Sequence, residues 1–205
     1  MEGENPTFTN PVWEEIRNRH IFDGEFAWQT RRFDLARSGE TEFADGMFAS
    51  GRMFEVLVVQ PLLGRTLTSS DDRRGGGGSD GLVTVISHGF WQRRFAGASD
   101  VVGHSLTIDR VPFTIVGVVP SAFFGMDVGS TFDVVVPLGA MDAFGNGRRT
   151  QVLGDRGASF LRIMARLAPG QTIDAATTAL RSIQPAVREA TAPPEAVARW
   201  LPPHL

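Results

Sequence analysis

The chain contains no cysteine, no lysine and no tyrosine. Without cysteine there is no disulfide scaffold, zinc–thiolate site, iron–sulfur cluster or thiol nucleophile. Without lysine there is no Schiff-base former, and a phosphate loop of the P-loop type is excluded. All 20 basic side chains are arginine against 23 acidic ones, and the formal net charge is -3. No basic field argues for a nucleic-acid partner. Long apolar runs are also missing: no stretch approaches the roughly 18 residues of a membrane-spanning helix. The longest apolar runs, 111–120 and 132–138, have the length of strands. The acidic, polar start lacks the form of a signal peptide. The end at 200–205 is abrupt and reads as a cut, so a piece of a longer protein is expected.

What remains is an ordinary globular composition, 42% hydrophobic and 21% charged over 205 residues. That suits one domain or two small subdomains. Asn10 and Pro11 predict a helix over 10–18, with Asn10 as N-cap and Pro11 at its first position. Over 24–50 the period falls to two, through Phe26, Trp28, Phe33, Leu35, Phe43 and Met47, with a turn at Ser38 and Gly39. This predicts an antiparallel meander. A short helix is expected at 51–57 and a flexible glycine-rich loop at 68–81. A buried strand at 82–86 leads to Ser87, which can cap a helix over 88–95 with Phe90, Trp91 and Phe95 on its buried side. Truncating Trp91, as a core anchor, would cost about 3–5 kcal/mol.

Strands are expected at 105–109, 112–118, 132–136 and 160–167, with Asp109 and Arg110 at a turn and a second long loop at 140–157. Gly64 and Gly117 mark positive φ or close backbone approach. Thr172 caps a helix from 173 to about 189, with Ile173, Ala176, Leu180, Ile183 and Val187 along one stripe. Pro185 should kink or split that helix. A last short helix is expected from Pro193 and Pro194 to near Leu201. About eight strands and four or five helices, not strictly alternating, predict an α+β fold with mixed or antiparallel sheets and packed helices.

Motifs of chemistry are sparse. Gly75–Gly78 lead into a strand rather than a helix, so they match neither a phosphate loop nor a dinucleotide fingerprint. Ser87 beside His88 lacks the elbow of a hydrolase nucleophile. His20, His88, His104 and His204 have no metal-ligand spacing. Asp71, Asp72 and Asp80 miss the spacing of a calcium loop. The arginine pairs at 73–74, 93–94 and 148–149 read as solvated surface, and Phe90, Trp91, Phe123 and Phe124 as core anchors. No catalytic, cofactor-binding or metal-ligating residue is assigned.

Several blocks nonetheless resemble one family, in order. They are FEVL at 54–57, QPLLGR at 60–65 followed by Asp71 and Asp72, VISHGFWQRRF at 85–95, VVGHSL at 101–106, VPFTIVGVVP at 111–120, AFFG at 122–125, DVVVPL at 133–138 and RLAPG at 166–170. Together they resemble the MacB-like periplasmic core domain of ABC transporter permeases of the MacB, FtsX and LolC type. Two departures stand out: Val58 where the pattern has glycine, and His88 where it has tyrosine.

The resemblance implies a core domain over 10–190, with a tail or short helix at 191–205. It implies two subdomains, a porter-like α/β part and a more variable part. It also implies a non-catalytic domain on the periplasmic face of the inner membrane that relays ATP-driven motion. The implied partners are a cytoplasmic ATPase, a second permease copy and a periplasmic adaptor or exported substrate. No cofactor is implied. One alternative is a free-standing binding module with a pocket lined by Phe26, Trp28, Phe123 and Phe124; another is a hydrolase built on Ser87 or His88.

Overall fold

A computed structural model describes residues 6–36, 42–127, 129–144 and 151–193. The chain forms two compact units. Unit one combines residues 1–27 with 151–205, and unit two is the continuous stretch 28–150 between them. Among the described residues there are eight strands and four α-helices. The fold is mixed α/β with helices packed on sheet, the α+β class expected. No helix among the described residues is long and apolar enough to cross a membrane.

In unit one, α1 (Asn10–Arg17) packs against α4 (Ile173–Thr191). Its N-cap is Thr9, not Asn10. Thr9 is extended and its hydroxyl accepts from the Val12 N–H, while Asn10 is already helical. The buried Asn10 amide instead donates to the Leu153 carbonyl at 2.8 Å. Phe8 bridges Leu161 just before β8 (Arg162–Arg166), whose neighbour is β1 (Gly24–Asp34).

Helix α4 is capped by Thr172 as expected, its hydroxyl accepting from the Ala175 N–H at 3.1 Å. The helix is not split at Pro185 and runs on to Thr191. Pro185 is exposed, so water can satisfy the Arg181 carbonyl that lacks its helical donor. Of the expected stripe, Ala176 and Val187 are buried, but Ile173 is 74% exposed. It sits in the first turn, where the stripe runs off the packed surface.

Unit two is a curled sheet. The antiparallel pair β1 and β2 (Phe43–Ala49) runs in register from Trp28 opposite Ala49 to Asp34 opposite Phe43. Strand β2 then pairs in parallel with β7 (Val134–Pro137), which pairs antiparallel with β4 (Val83–Ile86). Strand β4 pairs in parallel with β6 (Val111–Val118), and β6 carries β5 (Ser105–Ile108) and β3 (Leu63–Gly64) on successive stretches of its other edge. All four residues of β4 are buried, and the Thr84 hydroxyl is satisfied by the Val135 carbonyl. The antiparallel pairing expected over 24–50 is formed by β1 and β2, and the parallel pairs β2–β7 and β4–β6 arise because the chain returns through crossovers.

Residues 109 and 110 form the expected turn, both in the left-handed region. The Asp109 carboxylate accepts from the Asp34 N–H and pairs with Arg31, while the Asp109 N–H donates to the Asp34 carbonyl. The tip of the β5–β6 hairpin thus reaches β1. Gly117 is needed for close approach: a Cβ there would lie 2.0 Å from the Arg65 carbonyl oxygen. The expected loop at 140–157 is partly regular, with 3-10 turns at Leu138–Phe144 and Gln151–Gly154. Phe144 is drawn inward by the rings of Phe33, Phe48 and Phe113. The turn expected at Ser38 and Gly39, Arg148 and Arg149, and the helix expected from Pro194 lie outside the described residues.

Helix α2 (Met53–Val56) is the short helix expected. Helix α3 (His88–Phe95) is capped by Ser87, whose hydroxyl accepts from the Phe90 N–H at 3.1 Å. Phe90 is buried, but Trp91 is only half-buried. Its indole N–H donates to the Ala98 carbonyl at 2.9 Å, so it braces the turn after the helix rather than anchoring the core. Trp91→Ala should therefore cost about 2 kcal/mol, less than a full core truncation, in thermal melts. Val58 has φ of 58° and is 66% exposed. A β-branched side chain is strained there and buries little. Val58→Gly should stabilise by about 1 kcal/mol, raising Tm by roughly 2–4 °C; an unchanged or lower Tm would show the strain is absent.

Candidate functional site

The glycine-rich loop is held by charge. The Arg65 guanidinium makes two bonds to the buried Asp71 carboxylate, at 2.8 and 2.9 Å, and a third to Asp80 at 2.7 Å. Asp71 also accepts from the Thr68 hydroxyl and N–H. Asp72 accepts from the N–H groups of Gly51 and Gly139. The three carboxylates are committed to the protein's own donors. Among the described residues no group of three or more His, Asp or Glu side chains could hold a metal ion. Gly75, Gly76 and Gly77 all have positive φ, and the Gly75 N–H is taken by the Gly139 carbonyl. The loop is irregular, as expected, but tied down at several points.

The other sequence-level candidates separate in space. Ser87 spends its hydroxyl on the cap, and the His88 ring stands edge-on to Trp91 at 5.5 Å. His104 faces Asp100 at 4.0 Å, His20 lies beyond the end of α1, and His204 is outside the described residues. Arg93 pairs with Asp133 and Arg94 with Glu42. Phe26 and Trp28 are buried in the core, which counts against a pocket lined by their rings. Phe123 meets the rings of Phe54 and Phe132.

Phe124 is different: it is 54% exposed and edges a cleft in unit two. The cleft encloses about 580 Å³. One side is built from Thr30, Arg32 and Asp45 of the β1–β2 pair, the other from Phe124, Asp127 and Thr131. The Arg32 guanidinium lies 4.3 Å from the centre of the Phe43 ring. Asp45 and Asp133 fix the strand pair beside the cleft, the Asp133 N–H donating to the Asp45 carbonyl at 2.6 Å. The described lining has arginine, aspartate and hydroxyl groups but no histidine. Such a surface can recognise a mixed polar and aromatic partner. Arg32, Asp45 and Asp127 carried no signal in the sequence, because their spacing is set by strand pairing and a loop.

A family model described as the MacB-like periplasmic core domain matches residues 1–183. The chain belongs to this family. Solved structures agree with that fold. The periplasmic region of MacB from Actinobacillus actinomycetemcomitans is 13% identical, with a TM-score of 0.63 over 91% of this chain and 77% of that one. A domain of a Porphyromonas gingivalis protein described as a permease is 16% identical, with a TM-score of 0.61 over 96% and 76%. The extracellular domain of the ABC-type transporter YknZ from Gram-positive bacteria is 13% identical, with a TM-score of 0.58 over 89% and 83%. No curated protein matches the sequence significantly.

Within this MacB-like domain the QPLLGR block has a physical role. Its Gly64 takes φ of 64° opposite Gly117, and its Arg65 is the hub of the loop clasp. Burial pushes the Asp71 pKa up, but the bonds from Arg65 and Thr68 outweigh it and hold the carboxylate below its ordinary value. A depressed native pKa contributes stability above the unfolded value of about 3.9 and loses it as pH falls through the native value. Asp71→Asn should cost about 2–3 kcal/mol at neutral pH, with the deficit shrinking below about pH 4, in denaturant titrations across pH.

Proposed function

We propose that this chain is the non-catalytic periplasmic domain of an ABC transporter permease. In this reading it relays ATP-driven motion arriving through the inner membrane. It engages a periplasmic adaptor or the exported substrate, and works with a cytoplasmic ATPase and a second permease copy. The core domain is 10–190, and 191–205 is the tail leading out of it.

One observation carries the reading. Both ends of the described chain belong to unit one, and unit two is an insertion within it. Force applied at the two ends therefore acts on unit one first. Strand β1 passes from unit one into unit two without a break. The use of Ser87 as a helix cap supports the absence of catalysis. The exposed Phe124 at the cleft favours a second reading, a free-standing module that binds a ligand or protein.

Sequencing the DNA on both sides of the coding region tests the first reading. Flanking membrane-helix segments, or an adjacent ATPase gene, are the expected result. Stop codons on both sides with neither feature nearby would overturn it and leave the binding module.

A further inference from the structure

Unit one contains an open groove of about 690 Å³, lined by α1, β8 and α4. Its apolar side comes from Phe8, Val12, Ile16, Ile163, Leu180 and Ile183. Leu180 is exposed, and Val12, Ile16 and Ile183 are only half-buried, so apolar surface is left wet. Covering such surface yields about 25 cal/mol per Å². Along the rim, α4 presents Thr177, Arg181, Gln184, Arg188 and Thr191, spaced by three and four residues and so on one stripe. The lining holds two arginines and no aspartate or glutamate.

We propose that this groove binds a single-chain anionic amphiphile. The apolar tail lies along Val12, Ile16, Leu180 and Ile183, and the carboxylate or phosphate head pairs with Arg181. A planar guanidinium matches either head group through paired N–H donors. Arg188 lies two turns farther along α4 on the same rim. Shape supports a slender ligand. The α4 lining from Thr177 to Thr191 spans about 21 Å at 1.5 Å per residue. The volume lies within the roughly 300–1,000 Å³ of small-molecule sites. The inference does not depend on the transporter reading, because a free-standing domain would bind the same ligand.

Calorimetric titration of the whole chain tests it, with myristate and dodecyl phosphate as probes below their micelle concentrations. Hexanoate serves as the short-chain control and dodecyltrimethylammonium as the cationic one. Saturable binding of at least one long-chain anion is expected; which one binds tells carboxylate from phosphate recognition. Hexanoate should not bind. Arg181→Glu should weaken binding by at least about tenfold, equivalent to about 1.4 kcal/mol. Arg181→Gln keeps the test valid if the charge reversal lowers Tm. The proposal fails if neither anion binds, if the cation binds equally well, or if both Arg181 variants bind like the parent. It also fails if an acidic amphipathic helical peptide occupies the groove and myristate does not displace it.

Discussion

Unit two depends on four phenylalanine rings that meet inside its curled sheet. Phe33 and Phe48 come from paired strands at one end of the strand order, and Phe113 from β6 near the other. Phe144, from the 3-10 turn after β7, stands 5.9 Å from Phe33, 5.3 Å from Phe48 and 5.4 Å from Phe113. A flat sheet could not bring these strands to one ring. Each buried ring contributes about 1.5–3 kcal/mol from transfer out of water, and edge-on pairs add about 0.5–1.5. The curl then brings the β5–β6 turn to β1, where Asp109 satisfies both the N–H and, through its own N–H, the carbonyl of Asp34.

The other constraint on unit two is close backbone approach. The edge where β3 meets β6 admits no side chain at Gly117. Just beyond it, Arg65 leaves the strand and gathers Asp71 and Asp80. The glycine-rich stretch is thus tied at its base by charge and at its middle by backbone bonds. Carboxylates that could suggest a cation site in the sequence serve here as acceptors for the protein's own arginine and amides. The clasp lies within the span that matches the MacB-like periplasmic core domain.

Much of this was legible beforehand. The caps at Ser87 and Thr172, the turn at 109–110, the strands at 82–86 and 112–118 and the α+β class follow from local rules. Each depends on hydrogen bonds or side-chain periodicity within a few residues. The family was legible from the order of short blocks, none of which is a chemical motif. The failures are also instructive. Asn10 and Thr9 are both good caps, and the choice between them fell to the distant Leu153 carbonyl. Trp91 looked like an anchor because large rings usually are, yet it is only half-buried, and its indole N–H reaches the Ala98 carbonyl beyond the end of the helix.

The amino-acid sequence by itself determined the elements, their signals for starting and stopping, the lack of thiol and amine chemistry, and the kinship. It did not determine which apolar side chains stay wet. Ile173 and Ala176 obey the same periodicity, but only Ala176 is covered. Phe123 and Phe124 are neighbours, but only Phe124 faces the cleft as an exposed ring. Tertiary structure decided these points, because burial depends on strands and helices far apart in the chain. Arg32 and Asp127 come to line one cleft, and Val12 and Ile183 one groove, only when those elements pack.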